Sequence, residues 1–277
     1  MNKPPLVSVI ITTKNSESTI KSCLSSIKNQ NYSNLEIILV DNNSTDHTSK
    51  IAQKYTKLIF NKGPERSAQR NFGAKKAKGK FLLFVDSDME LSKNVIKDCV
   101  EKYITNSHNA AGVVIPEKSF GNSFWAKCKA LEREFYLGLD WIEAPRFFSK
   151  EIFEEIGGYD EKQTGTEDFD LPQRIKSRFK NRSILRIKSM IHHNEGDLAL
   201  SYTLKKKYYY VKTARIYREK KSNKDYYKKQ SSIIERYRVF FSNPRKLLKN
   251  PILGLGMLLM KTSEFAAGGL GYISSNK

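Results

Sequence analysis

With 277 residues the chain is long enough to bury a sizeable core, as one large domain or as a domain with an appendage. Its hydrophobic content of 39% excludes wholesale disorder, and its formal charge of +20 calls for an anionic partner. Nucleic acid, an acidic membrane surface and a phosphorylated substrate all meet that requirement. Cys23, Cys99 and Cys128 lie in apolar helical patterns without metal-ligand spacing, which predicts buried, reduced thiols of an intracellular protein. The opening "MNKPPLVSVII" enters a strand within a few residues and lacks the pattern of a secretory signal.

Taken in order, the predicted elements alternate. "LVSVIITT" (Leu6 to Thr13) reads as a strand, and Ile20, Cys23, Leu24 and Ile27 follow at helical spacing. "LEIILV" (Leu35 to Val40) is a buried strand ending in Asp41; Ile51, Ala52 and Tyr55 mark a second helix, and "KLIF" a third strand. A basic helix over about Glu65 to Lys78 leads into the apolar run Phe81 to Val85. Apolar strands alternating with helices predict a mostly parallel sheet with helices on both faces. Further on, Phe124, Cys128, Leu131 and Phe135 make an amphipathic helical face. "APRFFS" is a short strand whose Ser149 caps a helix that stops at Gly157-Gly158. Glu167, Asp168 and Asp170 open another helix, with Leu171, Ile175 and Phe179 on its apolar side.

"KFLLFVDSDMELS" ends a buried strand in Asp86-Ser87-Asp88, and carboxylates are rarely buried without a partner. Either this is a turn with Ser92 capping the next helix, or it is a divalent-cation site at the carboxyl edge of an open sheet. Two other strands end in polar residues, Thr12-Thr13-Lys14-Asn15 and Asp41-Asn42-Asn43, so all three ends are predicted to share that edge. Their convergence favours a ligand site. The acids at the start of the Glu167 helix have an alternative use in complementing the helix dipole.

From Ser201 to Asn250 the chain carries 16 Lys or Arg against three acids, interleaved with tyrosines. That pattern suits a helix on anionic lipid, with tyrosines at headgroup level, or a nucleic-acid surface. The apolar Pro251 to Ile273 is interrupted by Lys261 and Glu264 and reads as an interfacial or shallowly inserted hairpin rather than a spanning helix.

The ordered segments "VSVIITTKNSE", "EIILVDNNSTD", "ERSAQRNFGAKKAKGKFLLFVDSDM", "FFSKEIFEEIGGYDE" and "TEDFDL" resemble glycosyltransferase family 2, with the GT-A fold, over about Leu6 to Lys188. "HHNEG" followed by "LKKKYYYVKTARIY" is similar to the tail of bacterial and archaeal members that carry His-x-Glu-Gly and then a basic, tyrosine-rich helix. The resemblance implies an α/β GT-A domain over residues 1–200, with a nucleotide-sugar half (about 1–110) and an acceptor half (111–200). A basic, membrane-associated helical tail over 201–277 would follow. It implies inverting transfer of a sugar from a UDP- or GDP-sugar to a lipid-linked or glycan acceptor, with Mn²⁺ or Mg²⁺. It places the protein in the cytoplasm, peripheral on the cytoplasmic face of an anionic membrane.

Carried over by motif, Thr12, Thr13, Lys14, Asn15, Asp41, Arg66, Arg70, Asn71, Asp86 and Ser87 would bind the nucleotide sugar. Asp88, with Asp86 and His193, would meet the metal, and Asp168 or its neighbour Glu167 would be the catalytic base. His192 is the neighbour that competes with His193 for its place. Lys14 stands where the family commonly has a tyrosine, which implies a charged contact in place of base stacking. A catalytically silent nucleotide-sugar or lipid-binding module is the alternative that this departure leaves open. A nucleic-acid-binding protein would leave Asp41, Asp86 and Asp88 without a use, so no nucleic-acid partner is expected.

Overall fold

The computed structural model describes residues 3–211, 214–220 and 224–274. Residues 212–213, 221–223 and 275–277 of the expected basic tail lie outside the described residues. The chain opens with β1 (Val7–Thr13), α1 (Ile20–Lys28), β2 (Leu35–Asp41), α2 (Thr48–Ala52), β3 (Leu58–Asn61), α3 (Arg66–Lys76), β4 (Phe81–Asp86), β5 (Met89–Leu91) and α4 (Val95–Thr105). It continues through β6 (Ala110–Val114), β7 (Glu117–Phe120), α5 (Phe124–Tyr136), β8 (Pro145–Ser149), α6 (Lys150–Glu155), α7 (Glu167–Arg178), β9 (Ser183–Arg186) and β10 (Ile191–Asn194). Helices follow: α8 (Leu200–Val211), α9 (Ala214–Glu219), α10 (Lys224–Ser231), α11 (Ile233–Phe241), α12 (Pro244–Leu248) and α13 (Pro251–Ser274).

Two compact units emerge. The first comprises Met1–Pro116, Ala144–Glu161 and Asp170–His192. It holds a seven-stranded sheet in the order β3-β2-β1-β4-β8-β6-β9. β1 pairs in parallel with β2 and β4, and β2 with β3, as the apolar strands predict. Strand β8 runs antiparallel to both its neighbours, so the sheet is mixed but mostly parallel. β1 and β4 are buried along their whole length, and α1 turns Ile20, Cys23, Leu24 and Ile27 into the core. Ser149 caps α6 as expected, its Oγ accepting from the Ile152 N–H at 3.2 Å. Ser92 does not cap α4: Asn94 takes the N-cap position, and the Ser92 Oγ accepts from the Met190 N–H instead. All three cysteines are free and buried.

The second unit comprises Glu117–Glu143, Lys162–Phe169 and His193–Lys277. Its core gathers Cys128 and Phe135 of α5, Phe240 of α11, Leu247 of α12, and Met257 and Met260 of α13. The units therefore do not divide at residue 200. The basic segment packs with α5, because α8 and α13 each have an apolar face that only a neighbouring helix can cover.

α13 also departs from the expected hairpin, being one continuous helix. Lys261 and Glu264 do not interrupt an apolar surface, since both face inward and are buried. Lys261 Nζ lies 2.5 Å from Glu132 and 2.6 Å from Glu264, and Lys129 Nζ lies 2.8 Å from Glu132 and 3.1 Å from Glu264. Burial alone would raise the Glu132 pKa, but the ammonium groups of Lys129 and Lys261 outweigh it and hold the carboxyl well below the usual range. The four charges satisfy one another, Glu132, Lys261 and Glu264 being buried and Lys129 partly exposed. Replacing one partner strands the rest, so Lys261→Met is expected to cost about 3 kcal/mol. The check is a urea unfolding curve of the full chain, and an unchanged midpoint would contradict the charge quartet.

Candidate active site

Register brings the polar strand ends of the first unit together. Thr13 pairs with Asp41, and Thr12 with both Val40 and Asp86, so β1, β2 and β4 end at one level. Beyond that level, Asn15 and Asn43 adopt φ of +49° and +52°, a left-handed backbone uncommon outside glycine and often found at functional sites. Ser44 ties the loops: its N–H and Oγ donate to the Asp41 carboxylate at 2.7 and 2.5 Å, and its Oγ accepts from the Asn15 N–H at 2.8 Å. The Asn15 side chain accepts from the Thr45 N–H at 2.8 Å. Ser87 Oγ lies 2.8 Å from Ser16 Oγ, and Lys14 is exposed at the rim.

Asp86 is the centre of this edge. Arg66 and Arg70 sit one turn apart on α3 and so share a face. Arg70 donates to Asp86 Oδ1 at 2.9 Å, and Arg66 lies 3.9 Å from Oδ2. A third guanidinium, Arg146 of β8, lies 3.4 Å from Oδ2, and the Thr12 hydroxyl donates to Oδ1 at 3.3 Å. Burial would raise the Asp86 pKa, but Arg70, then Arg146 and Arg66, overcome it and hold the carboxyl well below the usual range. Three guanidinium groups thus surround the Asp86 carboxylate at the strand ends.

The support behind Arg70 is extensive. Gly73 lets α3 lie against the sheet, since a Cβ there would come within 2.5 Å of Ile10. Gln69 bridges the ends of β1 and β2, donating to the Thr13 and Val40 carbonyls at 3.1 and 2.7 Å. Asn71 does not join the Asp86 cluster. It exchanges hydrogen bonds with the Tyr159 backbone and donates to Glu161, and the Tyr159 ring in turn lies 5.1 Å from the Arg70 guanidinium. Arg174 holds the same loop by donating to the Ile156 and Gly158 carbonyls, with Asp170 as its ion partner. Asp170 is thus structural.

Asp88, half-buried just past β4, is close enough for its charge to help push the Cys23 thiol up, although burial is the larger cause. Its carboxylate suits a hard cation. Both Asp86 oxygens face guanidinium groups, which fits an anchor for arginines and not a metal ligand. Among the described residues no group of three His, Cys, Asp or Glu is close enough to hold an ion.

The second unit carries the other predicted residues. Glu167 is buried, whereas Asp168 is half-buried at the start of α7. The turn before them needs Gly165, at φ +82°, because a Cβ would meet the Tyr210 ring of α8 at 2.5 Å. His193 Nδ1 lies 3.5 Å from the Glu117 carboxylate. Glu195 of the same motif is structural: Ser119 donates to it at 2.7 Å and Arg133 lies 3.1 Å away. The sequence reading missed Gln69, Arg146, Glu117 and Arg133. The arginine of "APRFFS" sits between apolar residues at a strand position, and that isolated charge was the available signal.

Residues 8–162, more than half of the chain, match the family model described as Glycosyl transferase family 2. The GalNAc(5)-diNAcBac-PP-undecaprenol beta-1,3-glucosyltransferase of Campylobacter jejuni is 27% identical over 225 residues, 77% of this chain and 65% of that protein. The chain spans less than two thirds of the length of the curated relatives it matches first. Mannosyltransferase PcManGT from Pyrobaculum calidifontis, solved with GDP-Man and Mn²⁺, superposes with a TM-score of 0.69 at 16% identity, covering 99% of this chain and 88% of that one. S. aureus TarS, solved with UDP-GlcNAc, gives a TM-score of 0.53 at 17% identity, covering 98% and 91%. These structures share the GT-A fold.

Arg70→Met is expected to cost about 3 kcal/mol at neutral pH, because it removes the nearest partner of a buried carboxylate. Asp86 is more acidic folded than unfolded. Its contribution is therefore complete above the unfolded value, about 3.9, and is lost as pH falls through the lower folded value. The deficit of the variant should shrink below about pH 4. Unfolding curves across a pH series check this, and a deficit that does not change with pH would contradict it.

Proposed function

The chain belongs to glycosyltransferase family 2, and on that premise we propose that it moves a sugar from a nucleoside diphosphate sugar to a lipid-linked or glycan acceptor, with inversion. The observation that carries this reading is Asp86 held by three arginines at the common end of β1, β2 and β4. Such sheets bind ligands at that edge. Thr12, Thr13, Lys14, Asn15 and Asp41 are the residues for the base and ribose. Asp86 orients the ribose, Ser87 lies beside it, and guanidinium groups are suited to a diphosphate. The solved relatives with UDP-GlcNAc and GDP-Man support UDP or GDP as the nucleotide.

The acceptor hydroxyl gives its proton to Asp168 as its oxygen bonds to the anomeric carbon. The bond from that carbon to the phosphate oxygen breaks on the opposite face, and its electron pair leaves with the nucleoside diphosphate. Asp168 is favoured over Glu167 because the Glu167 side chain is closed off from solvent. When bound, Mn²⁺ or Mg²⁺ supplies Lewis-acid stabilisation of the charge on the departing phosphate. Asp88 fits as a carboxylate ligand, and His193 is the candidate imidazole. The C. jejuni relative, named for an undecaprenol-linked substrate, supports a lipid-linked acceptor, and on that reading the enzyme works peripherally on the cytoplasmic face of a membrane.

Screening nucleotide sugars with Mn²⁺ for release of nucleoside diphosphate tests the reading, and no release from any donor would count against it. With an active donor in hand, Asp88→Asn should keep its fold and lose metal-dependent turnover by on the order of a thousandfold. Wild-type rates would remove Asp88 from the metal. Asp168→Asn should lower kcat by a similar factor while donor binding stays within about twofold, since a base acts in the transition state. If donor binding collapses as well, Asp168 is not the base.

A further inference from the structure

α13 is turned inside out for a surface helix. Its charges, Lys261 and Glu264, are locked into the buried quartet, while Ile252, Leu255, Leu259, Leu270 and Ile273 are 58–72% exposed. These five fall in a stripe on one side of the helix in two groups, Ile252-Leu255-Leu259 and Leu270-Ile273, with exposed Thr262 and Ala266 between them. Beside that gap the Tyr237 hydroxyl of α11 lies 2.5 Å from the Thr262 hydroxyl, and the Tyr237 ring touches exposed Phe241. At one end of the stripe α12 carries exposed Arg245, Leu248 and Lys249. Exposed Lys205 and Lys206 lie on α8, whose Tyr208 bonds Ser274 at the other end.

We propose that this stripe is a docking face for an anionic phospholipid bilayer. The helix lies in the plane of the interface, with its leucines among the acyl chains and the flanking lysines and arginines at the phosphates. No described helix is long and apolar enough to cross a membrane. Charge selects the occupant: flanks of one sign repel a second copy of the same face and attract an anionic surface. The quartet has a part in this, because it holds Lys261 and Glu264, the two charged side chains of α13, in the interior. The proposal rests on the reading of a lipid-linked acceptor and names the surface that would bring the enzyme to it.

The test is flotation of the full chain with phosphatidylglycerol-containing vesicles and with pure phosphatidylcholine. Wild type should float with the anionic vesicles. Leu255→Asp/Leu259→Asp, substituted at exposed positions, should partition on the order of a hundredfold less while keeping donor hydrolysis. A folded double variant that floats like wild type would overturn the proposal, as would a wild type that stays in the supernatant at low salt. If the double variant does not fold, Leu255→Trp decides: its added emission should shift to shorter wavelength on anionic vesicles, and no shift refutes the docking. Sedimentation of a wild-type dimer that the double variant breaks, without vesicle binding, would assign the stripe to a second copy. A wild type that floats but hydrolyses no donor would count against the transferase reading and not against the docking.

Discussion

Asp86 ends a buried strand with a charge that water barely reaches, and the edge around it is organised by the groups that compensate this charge. A carboxylate so placed keeps its proton off only if cations stand within a few ångströms. Arg66 and Arg70 supply two from one helical face, and Arg146 supplies the third from the antiparallel strand on the other side. Fixing Arg70 then requires Gly73 to set the helix against the sheet and Tyr159 to cover the guanidinium. Tyr159 requires Asn71 and Arg174 to hold its loop. Side chains far apart in the chain thus serve one charge.

The second unit solves a similar problem with a different result. Lys129, Glu132, Lys261 and Glu264 neutralise one another inside a helical cluster. What the quartet does is decide which side of α13 faces out, and that side is apolar. The basic residues behind the +20 charge are distributed around this face as well as through the tail, so the charge has a use apart from the nucleotide edge.

Local pattern made the first unit readable. Continuous apolar runs gave β1, β2 and β4 their places, and the polar residues ending each run marked the ligand edge, because strands in parallel register end together. The gaps have a common cause. Arg146 acts on Asp86 through the register of β8, a long-range fact that no window of sequence carries. Asn71 follows Arg70 in the Arg-Asn motif, yet adjacent helical residues point in different directions, and its side chain bonds the Tyr159 loop. Lys261 and Glu264 looked like breaks because hydropathy sums over all sides of a helix, whereas their partners lie over a hundred residues earlier on α5. The division at residue 200 failed to anticipate α5, whose apolar face is covered by the helices of the tail.

The claim at the centre is that the arginine-held Asp86 edge binds a nucleoside diphosphate, and titration calorimetry of UDP and GDP into wild type and Arg146→Met tests it most directly. Arg146 comes from a strand outside the familiar motifs, and Asp86 keeps Arg70 and Arg66 without it. The account predicts binding of one of the two nucleotides by wild type and a loss of about tenfold or more in the folded variant. Equal affinity of both proteins for the bound nucleotide would contradict it.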